Sequence, residues 1–431
     1  MHIERTMNNI IFFVILILCV LLTPRMAHAD DMHYNNMLIG ERATGLGGAY
    51  MAISDDPSGL YYNPAGIVYS AGSKLSASMN AYYKEKKQYE KVLGNYDWER
   101  ESSTLLPNFF GVTQPFSNGT VGFSYAVTDA MIENQDQTFH NVITPVTVNG
   151  KLMTDDKCTI NFNNEDHTYN FGPSYAKKVS DSFAVGTTLY LHYRKNQSIL
   201  NQLSNLWNSE GSGYYIDQWD NLYTEKEELG IRPIFGFMLS PPKGKFSLGL
   251  TLSRTIIFNS DRESQNTLEI LTEDASDDII RPDPMVVTSD KKREYPYIIT
   301  LGTAFFPSNS LLVSGDITYY TGTDDEIAGK RRSFVNGAIG TEYYFNKTLA
   351  LRMGFFSNLA NTYKIESDKS NQPEHVNIYG GGFSLSHFTR YSSITIGIQY
   401  KYGKGETQTQ SGIHDVTISS LMAYMGSSYS F

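Results

Sequence analysis

SITIGIQYKY, residues 393–402, is the stretch that decides the fold class of this chain. Apolar residues occupy every second position, and small or polar residues lie between them. Successive side chains of a β-strand point to opposite faces, so the stretch predicts a strand with one apolar and one polar face. Residues 183–194 and 246–252 repeat the alternation. One face suits lipid and the other a water-filled lumen, which is typical of a transmembrane β-barrel. The apolar face of the first stretch carries Ile394, Ile396, Ile398, Tyr400 and Tyr402.

The number and spacing of such segments predict the size of the barrel. The connections after even-numbered strands, such as 180–182 and 241–245, are short, whereas 129–167, 196–229 and 258–294 are long and polar. An up-and-down barrel with short periplasmic turns and long external loops has this asymmetry, and an even strand count puts both termini on the periplasmic side. The fourteen predicted strands are 74–84, 103–114, 119–128, 168–179, 183–195, 230–240, 246–257, 295–306, 311–320, 333–345, 349–357, 375–385, 392–402 and 416–431.

Closure of the sheet follows from the bilayer. Each unpaired backbone polar group in hydrocarbon costs several kcal/mol, so every spanning strand needs a neighbour on both sides. The chain is rich in aromatic residues that form interfacial girdles, with 30 Tyr and 23 Phe. Its last residue, Phe431, resembles the C-terminal signal by which the outer-membrane assembly machinery recognises barrels, so we expect that machinery as a partner. The predicted fold is all-β, a 14-stranded antiparallel transmembrane β-barrel over residues 74–431.

Residues 1–29 have the features of a cleaved signal peptide. Arg5 precedes an unbroken apolar run over 10–22, and residues 27–29, Ala-His-Ala, give the small-x-small pattern of a cleavage site. The apolar run is too short to cross a bilayer comfortably as a helix. An uncleaved anchor and a lipoprotein leader ending at Cys19 are the alternatives. We predict export to the outer membrane of a Gram-negative bacterium.

Charge and cysteine content exclude two other classes of protein. The formal net charge is −10 for the whole chain and −11 without the predicted leader, which removes Arg5, Arg25 and Glu4. An acidic chain argues against nucleic-acid binding. Cys158 is the only cysteine outside the leader, so a disulfide scaffold is excluded.

The segment 30–73 precedes the first predicted strand and is dense in glycine. It contains GERATGLGGAYMAISDDPSGLYYNPAG, residues 40–66. Gly47 and Gly48 lack a Cβ, so the backbone there can approach other backbone closely. The Asn-Pro pair near its end is a turn signal. Because a barrel of this size has a lumen too wide for its own side chains to fill, we interpret 30–73 as a small hatch, or plug, inside the lumen.

This segment closely resembles the N-terminal hatch of the FadL/TodX family of outer-membrane transporters for long-chain fatty acids and other hydrophobic compounds. The similarity includes Asn63-Pro64-Ala65, the strand count and the terminal Phe. The resemblance implies that the Asn-Pro-Ala region lies beside an inward kink of the third strand, through which a ligand leaves sideways into the bilayer. Gly119 and Gly122 in the third predicted strand are the candidate positions for this opening.

The resemblance also implies that ligands are captured on external loops. In the third predicted loop, Ile199, Leu203 and Leu206 have i, i+4 and i+7 spacing, which predicts a short helix with one apolar side. An exposed apolar patch of this kind is a reasonable capture surface. The alternative is that these side chains pack the loop onto the barrel rim. The same predicted surface includes Leu200, Trp207 and Trp219.

Charged residues at predicted lumen positions have two possible uses. A basic group could hold a ligand carboxylate, as the inner site of the family does. Pairing with each other or with the hatch is the favoured interpretation, because barrel interiors are polar in any case. The residues are Arg194, Asp316, Glu342, Arg352 and Lys401.

The sequence contains no recognisable catalytic or metal-binding motif. The histidines are scattered, and none lies in a G-x-S-x-G setting. The glycine run at 45–48 lacks the Lys-Ser/Thr ending of a phosphate loop. His/Cys clusters with metal-ligand spacing are not found either. We therefore expect neither enzymatic activity nor a cofactor or metal.

The expected function is passive transport of hydrophobic small molecules, namely long-chain fatty acids or aromatic hydrocarbons. They would be captured on external loops and released through the barrel wall by rearrangement of the hatch. A structural or protein-secretion-associated barrel of the same fold is the alternative, and an outer-membrane lipase is a third hypothesis. Expected partners are the hydrophobic ligand, outer-membrane lipid and lipopolysaccharide, and no nucleic acid. We expect a monomer.

Overall fold

The protein is a closed β-barrel with a short, partly helical segment before the first strand. The computed structural model describes residues 32–70, 72–140, 142, 146–148, 151–208, 215–242, 244–272, 281–409 and 412–431. The predicted leader, 1–29, lies outside these ranges. Within them, no helix has the length and apolar character needed to cross a membrane. The helices are α1, Glu41–Gly45, α2, Gly59–Tyr62, and a 3₁₀ helix, Pro64–Tyr69.

Nineteen β-segments follow. They are β1 Lys74–Leu93, β2 Tyr96–Phe116, β3 Gly119–Phe139, β4 Val146–Val148, β5 Lys151–Lys178, β6 Phe183–Asn208, β7 Tyr215–Leu239, β8 Phe246–Ser253, β9 Ile256–Thr272, β10 Met285–Ser289, β11 Ile298–Ser308, β12 Leu311–Tyr320, β13 Thr323–Asp325, β14 Gly329–Arg331, β15 Phe334–Tyr344, β16 Leu349–Asn358, β17 His375–Phe388, β18 Ser392–Thr409 and β19 Gly412–Ser430.

The wall of the barrel has fourteen strands, all antiparallel, as predicted. β8 and β9 are two parts of one wall strand, interrupted at 254–255, and β4, β10, β13 and β14 are short additions outside the count. The last strand returns to the first, with Lys74 of β1 opposite Ser430 of β19. This pairing of the last strand with the first closes the barrel.

The two faces of the strands differ as the alternation predicts. In β18, Ile396 is 57% exposed on the outer surface, whereas the neighbouring Thr395 is 2% exposed and faces inward. In β8, the four residues at even positions from Phe246 to Leu252 are exposed, and the residues between them are buried. A lipid-facing band of leucine, isoleucine and phenylalanine therefore surrounds a polar interior, which is the arrangement that a bilayer requires.

Aromatic residues mark the limits of this apolar band. On the outer surface, Tyr169 stacks on Tyr125 and Tyr193, with ring centroids 6.1 and 6.3 Å apart. We call these three residues the tyrosine row. Lys195, two positions beyond this row in β6, pairs with two glutamates of β7 at 2.7 and 2.9 Å. Near the short turns, a phenylalanine of β8 stacks on one of β11 at 4.6 Å. Rings at both limits and charges beyond them are typical of membrane interfaces.

The structure corrects all three long loops predicted from the sequence. Residues 151–167 belong to β5, residues 196–208 continue β6 without a break, and residues 258–272 belong to β9. The strands therefore extend far beyond the tyrosine row. The predicted helix in the third loop is absent because this backbone pairs with β5 and β7 as a continuation of the wall. The short turns at 180–182 and 241–245 lie where they were predicted.

A strand separates the apolar residues that a helix would have gathered on one side. Leu200 and Leu206 point inward and are 4% and 3% exposed, whereas Leu203 and Trp207 face outward and are 38% and 50% exposed. Ile199 lies on the outer side with them, because it shares their odd position in β6. The remaining member, Trp219, lies opposite Leu203 in the β6–β7 pairing. The predicted capture surface is thus divided between two faces.

The strand extensions beyond the tyrosine row form a structure that we call the head. Its inward side chains make a hydrophobic core from strands on opposite sides of the barrel. Tyr89 stacks on Trp98 at 5.2 Å, and Arg100 lies 4.4 Å above the ring of Phe162. The lumen is therefore filled on this side by apolar side chains. The other strands that contribute to the core are β3, β6, β17 and β19, through Phe139, Leu200, Val376, Ile378, Val416 and Ile418.

Candidate functional site

Residues 32–70, which we call the inner segment, pack against the inward-facing side of the wall. Its two α-helices have five and four residues, too few to be stable alone, so tertiary packing must hold them. Apolar side chains point from the segment in several directions, and all are buried. Ile39, Leu46, Tyr50 and Leu60 are each 0% exposed. The first three of these side chains share a hydrophobic core with inward-facing residues of the wall, such as Phe109.

Glycines of the wall let the backbone of the inner segment approach that of the strands. A Cβ added at Gly354 of β16 would overlap the backbone of Leu46 and Gly47, and one at Gly236 of β7 would overlap the Asn63 side chain. Gly47 itself has a φ of +65°, which favours glycine. We call these wall positions the glycine row, whose members are Gly186, Gly236, Gly249, Gly302, Gly340, Gly354 and Gly382.

Polar groups of the wall bind the backbone of the inner segment at the same level. The Asp316 carboxylate accepts hydrogen bonds from the backbone N–H of Tyr50, at 2.8 Å, and of Met51, at 2.9 Å. The Ser314 hydroxyl donates to the carbonyl oxygen of Ala49 at 2.7 Å. These bonds satisfy main-chain groups that would otherwise be buried without partners. They fix the segment against β12.

A buried ionic group joins the inner segment to β15 and β16. Arg42 donates to both carboxylate oxygens of Glu342, each at 2.9 Å, and Arg352 donates to the same carboxylate at 2.5 Å. Arg42 also pairs with Asp55 of its own segment at 2.5 Å. Glu342 and Arg352 are 1% and 2% exposed. Bidentate pairing of this kind fixes orientation as well as distance.

The predicted lumen charges all have partners, which is the interpretation that the sequence favoured. Arg194 pairs with Asp166 through contacts of 3.0 and 2.5 Å. Lys401 donates to the carbonyl oxygen of Asn36 at 3.2 Å. Together with the bonds of Asp316, Glu342 and Arg352, these contacts account for the five predicted residues.

The Asn63-Pro64-Ala65 turn is fully buried and lies against β6, β7 and β8. The Asn63 side chain accepts from the Ala65 N–H at 3.1 Å and donates to the carbonyl oxygens of Met51, at 2.9 Å, and Phe237, at 3.1 Å. The expectation that this turn lies beside the third strand is therefore wrong. That position is taken by α2, since a Cβ at Gly122 would overlap the Leu60 side chain.

The β2–β3 ladder opens above the predicted glycines. Pairing is continuous from Phe116–Gly119 to Phe109–Ala126 and then resumes only at Ser102–Glu133. Residues 103–108 of β2 and 127–132 of β3, all described, do not pair with each other in the β2–β3 register, although both stretches pair with their other neighbouring strands. We call the interval the wall split. Gly119 and Gly122 lie in the paired part of the ladder, outside the wall split.

The inner segment covers the wall split from inside. Met37, which is 5% exposed, packs against Val127 and Ala130 of β3 and Leu106 of β2. The neighbouring Asn36 donates to the Asp129 carboxylate at 2.8 Å. An apolar plug and one polar bond thus seal the point where the sheet itself provides no hydrogen bonds.

Two cavities lie between the inner segment and the wall. The lower cavity, of ≈ 90 Å³, is lined by polar side chains together with apolar and aromatic ones. The upper cavity, of ≈ 80 Å³ and nearer the head, has more charged and histidine side chains in its lining. Tyr34, Arg232 and Ile298 line both. The ring of Tyr34 stacks on Tyr320 with a centroid distance of 5.5 Å. The two cavities therefore form adjacent compartments on either side of Tyr34.

A buried carboxyl group of the inner segment makes its packing sensitive to pH. Burial raises the pKa of Glu41 from 4.5 to about 7, and the nearby Asp56 adds to the rise. The carboxyl accepts from the Ser76 hydroxyl at 3.4 Å. Because the raised pKa favours the protonated form in the packed state, packing is strongest below pH 4.5 and weakens as the pH rises towards 7.

We therefore expect amide hydrogen exchange in the inner segment to increase between pH 5 and pH 7.5, after correction for the intrinsic exchange rate. The pKa difference corresponds to roughly 3 kcal/mol of packing free energy. Glu41→Gln keeps the shape of the side chain and removes its titration, so exchange in this variant should depend less on pH than in the unmodified protein. An equal pH response in both proteins would contradict the assignment to Glu41.

Sequence reasoning missed several parts of this site. Tyr34 and Met37 follow the predicted leader closely and belong to no periodic pattern. The glycine row was detectable only as single glycines on inward positions of successive strands. No group of three or more His, Cys, Asp or Glu that could hold a metal ion occurs in the ranges that the structure describes.

Comparison with known proteins supports the fold. No family model and no curated protein matches the sequence. A Pseudomonas aeruginosa FadL homologue matches with a TM-score of 0.62 and 12% identity, over 93% of this chain and 100% of its own. The P. putida toluene transporter TodX gives 0.63 and 14%, over 92% and 99%. The Ralstonia pickettii toluene transporter TbuX gives 0.56 and 15%, over 91% and 98%. The chain therefore has the fold of the FadL and TodX transporters, which confirms the resemblance at the level of architecture.

Proposed function

We propose that this barrel transports hydrophobic small molecules passively across the outer membrane and releases them through its wall. The observation that carries the proposal is the wall split, because a six-residue interval without strand pairing lies in an otherwise closed sheet. Apolar side chains of Leu106, Val127 and Ala130 line it, and Met37 covers it from inside. The shared fold with structures named as toluene transporters supports the same function.

The inner segment acts in this proposal as a hatch within residues 30–73, ahead of the barrel at 74–431. Its packing against the wall at 32–70 closes the lumen to water. A movement that withdraws Met37 from the wall split would join the lower and upper cavities to the bilayer. A hydrophobic molecule would then leave sideways without crossing the aqueous periplasm. The predicted leader at 1–29 would have been removed during export.

We propose a narrower capture surface than the one predicted from the sequence. Leu200 and Leu206 belong to the head and are 4% and 3% exposed. Only the outward group, with Leu203 at 38% and Trp207 at 50% exposure, is available to an approaching molecule. We assign first contact to this group, which includes Ile199 and Trp219. The Asn63-Pro64-Ala65 turn anchors the hatch on β6–β8 opposite the moving part.

Uptake into proteoliposomes tests the proposal directly. Vesicles that contain the purified barrel should accumulate labelled oleate or toluene faster than protein-free vesicles, with no energy source. A structural or secretion-associated barrel, the alternative function, predicts equal rates and a stable protein partner in pull-downs from the outer membrane. Equal uptake rates in vesicles with and without the barrel, for every hydrophobic compound, would contradict the transport proposal.

A methionine pair tests the wall split itself. Met37→Ala removes the side chain that seals the interval, and we expect about tenfold faster uptake if closure weakens by about 1.4 kcal/mol. Met32→Ala is the matched control, because Met32 is equally buried at 7% exposure but lies in the same segment away from β3. Identical rates for the two variants would place the exit elsewhere.

A further inference from the structure

Two hydrogen bonds in the upper cavity link Thr128, Asn170 and His192, and the donor of each bond can be assigned. We call this chain of bonds the relay. Asn170 of β5 donates through its side-chain Nδ2 to the Thr128 hydroxyl at 3.1 Å. This bond orients the amide so that its oxygen, Oδ1, faces Nδ1 of His192 at 3.0 Å. An amide oxygen carries no proton, so Nδ1 of His192 must be the donor. All three residues line the upper cavity.

The relay leaves the other ring nitrogen of His192 as an acceptor. In a neutral imidazole only one nitrogen carries a proton, so Nε2 presents a lone pair. Nε2 is buried and has no hydrogen-bond partner among the described residues. His192 is 3% exposed, and its ring meets Tyr295 edge to face at 5.6 Å. A buried acceptor without a partner requires an explanation, because its desolvation is unfavourable.

Burial disfavours a second proton on the His192 ring, and the positive charge around the cavity adds to this effect, whereas Glu228 opposes it. Arg194, Arg232 and Arg293 all line the cavity with His192. Guanidinium groups at short range oppose a second proton on the ring. Arg194 is itself neutralised by Asp166 at 3.0 and 2.5 Å. The site therefore offers a neutral acceptor on His192 beside the guanidinium group of Arg232.

Arg232 supplies the complementary donor. Its Nη1 donates to the Tyr61 hydroxyl at 3.2 Å, and the guanidinium lies 4.9 Å from the centre of that ring. Its Nε, by contrast, is buried and has no acceptor in the part of the chain that the structure describes. The cavity thus carries one unsatisfied acceptor and one unsatisfied donor. A hydroxyl group has both complementary functions, because it can donate to Nε2 and accept from a guanidinium.

The neighbouring lower cavity suits an apolar remainder. Arg232 and Ile298 line both cavities, so a molecule held at the upper one can extend past Tyr34. Side chains of the lower cavity include Leu38, Met51, Tyr62, Ile234 and Phe356. A carboxylate would meet the lone pair of His192 without a proton to donate, and a hydrocarbon would leave both polar groups unpaired.

We propose that the upper cavity binds the hydroxyl group of a hydrophobic alcohol or phenol, with His192 Nε2 as its acceptor. This inference rests on the proposed transport function and names a substrate class for it. The hydroxyl donates its proton to Nε2 as a hydrogen bond, and no covalent step is involved. The apolar part of the molecule lies against Tyr34 and the lower cavity.

Three probes of one shape test this inference. They are p-cresol, p-xylene and 4-methylbenzoate, which share a methyl-substituted ring and differ in one group. Equilibrium binding of each tritiated probe is measured on the full purified barrel in detergent. We expect p-cresol to bind about tenfold more tightly than p-xylene, the size of one well-formed hydrogen bond in a buried site. 4-Methylbenzoate should bind no better than p-xylene.

Substitution of the acceptor should remove this preference. In His192→Leu, p-cresol should bind only as well as p-xylene binds to the same variant. His167→Leu is the control, because His167 lies on the adjacent strand β5 and stacks on the tyrosine row through Tyr169 at 5.9 Å. This variant should keep the preference for p-cresol.

A measurement on the unmodified protein keeps the test independent of folding of the variants. With ¹⁵N-labelled histidine, the Nε2 resonance of an unprotonated ring nitrogen should shift when p-cresol is added and stay in place with p-xylene. Equal binding of the three probes, tighter binding of 4-methylbenzoate or an unmoved Nε2 resonance would each overturn the hydroxyl site while leaving transport standing. Failure of every hydrophobic probe to bind or enter vesicles would overturn the transport function and this inference with it.

Discussion

Gly354→Leu is expected to leave the barrel closed while preventing the inner segment from packing against β16. The added side chain would occupy the space of the Leu46 and Gly47 backbone, which is less able to move aside than a flexible side chain. Overpacking of a tight interior costs about 1–3 kcal/mol, and a clash with backbone lies at or above the upper end. The lumen should then open to water. Planar-bilayer conductance should rise from near zero to that of an open pore.

Gly337→Leu is the matched control for this experiment. Gly337 lies on the neighbouring strand β15, and a Cβ added there meets nothing within 4 Å. Its conductance should equal that of the unmodified protein, and both variants should keep the heat-resistant mobility of a folded barrel in detergent gels. If Gly354→Leu is folded and still non-conducting, the glycine row does not hold the inner segment in place.

Glu342→Ala is expected to loosen the inner segment more than any other single change of a charged residue. It removes the carboxylate that binds both Arg42 and Arg352 and leaves two buried guanidinium groups without it. Removal of one partner from a buried ionic group costs about 3–5 kcal/mol. Limited proteolysis from the periplasmic side should therefore cut residues 41–56 at least a hundredfold faster than in the unmodified protein.

An exposed ion pair provides the comparison for Glu342. Glu99 pairs with Lys86 at 2.7 Å, but both side chains are more than a third exposed. Glu99→Ala should change proteolysis of the inner segment by less than about fivefold, because exposed pairs contribute about 0–1 kcal/mol. A similar effect of both substitutions would mean that the segment is held by its apolar contacts and the glycine row alone.

The membrane-spanning part of the fold was predictable because the bilayer imposes a pattern on the sequence. Isoleucines on every second position, as in Ile394, Ile396 and Ile398, face lipid in the structure. The short turns and the closure of the sheet follow from the same requirement. Each spanning strand carries this signal within about ten residues, so local reading of the sequence was sufficient.

The head was not predictable by the same reasoning, because its strands have the opposite polarity. Beyond the tyrosine row the outer face meets water, and polar residues such as Gln197 and Asn201 replace the apolar ones. The apolar residues, including Leu200 and Phe162, point inward instead. With the apolar face lost, the alternation no longer resembles a membrane strand, and the stretch was interpreted as a loop. The i, i+4, i+7 spacing in β6 then suggested a helix that the pairing overrides.

The candidate site depends on contacts that no local pattern encodes. Met37 meets Leu106 and Ala130, and Arg42 meets Glu342, 300 residues away in the chain. The resemblance to the FadL/TodX family correctly indicated the architecture, but it put the Asn63-Pro64-Ala65 turn beside the wrong strand. The wall split became visible only from the register of β2 and β3.

A cysteine in the hydrophobic core of the head can be used to measure how often the head opens. Cys158 is 2% exposed within that core, and the chain has only one other cysteine, Cys19, in the predicted leader. The mature protein would therefore carry a single thiol, buried at its outer end. The rate at which a membrane-impermeant maleimide reaches this thiol on living cells would measure how often the head opens, without any engineered label. Addition of a transported compound during labelling would show whether its passage requires the head to open.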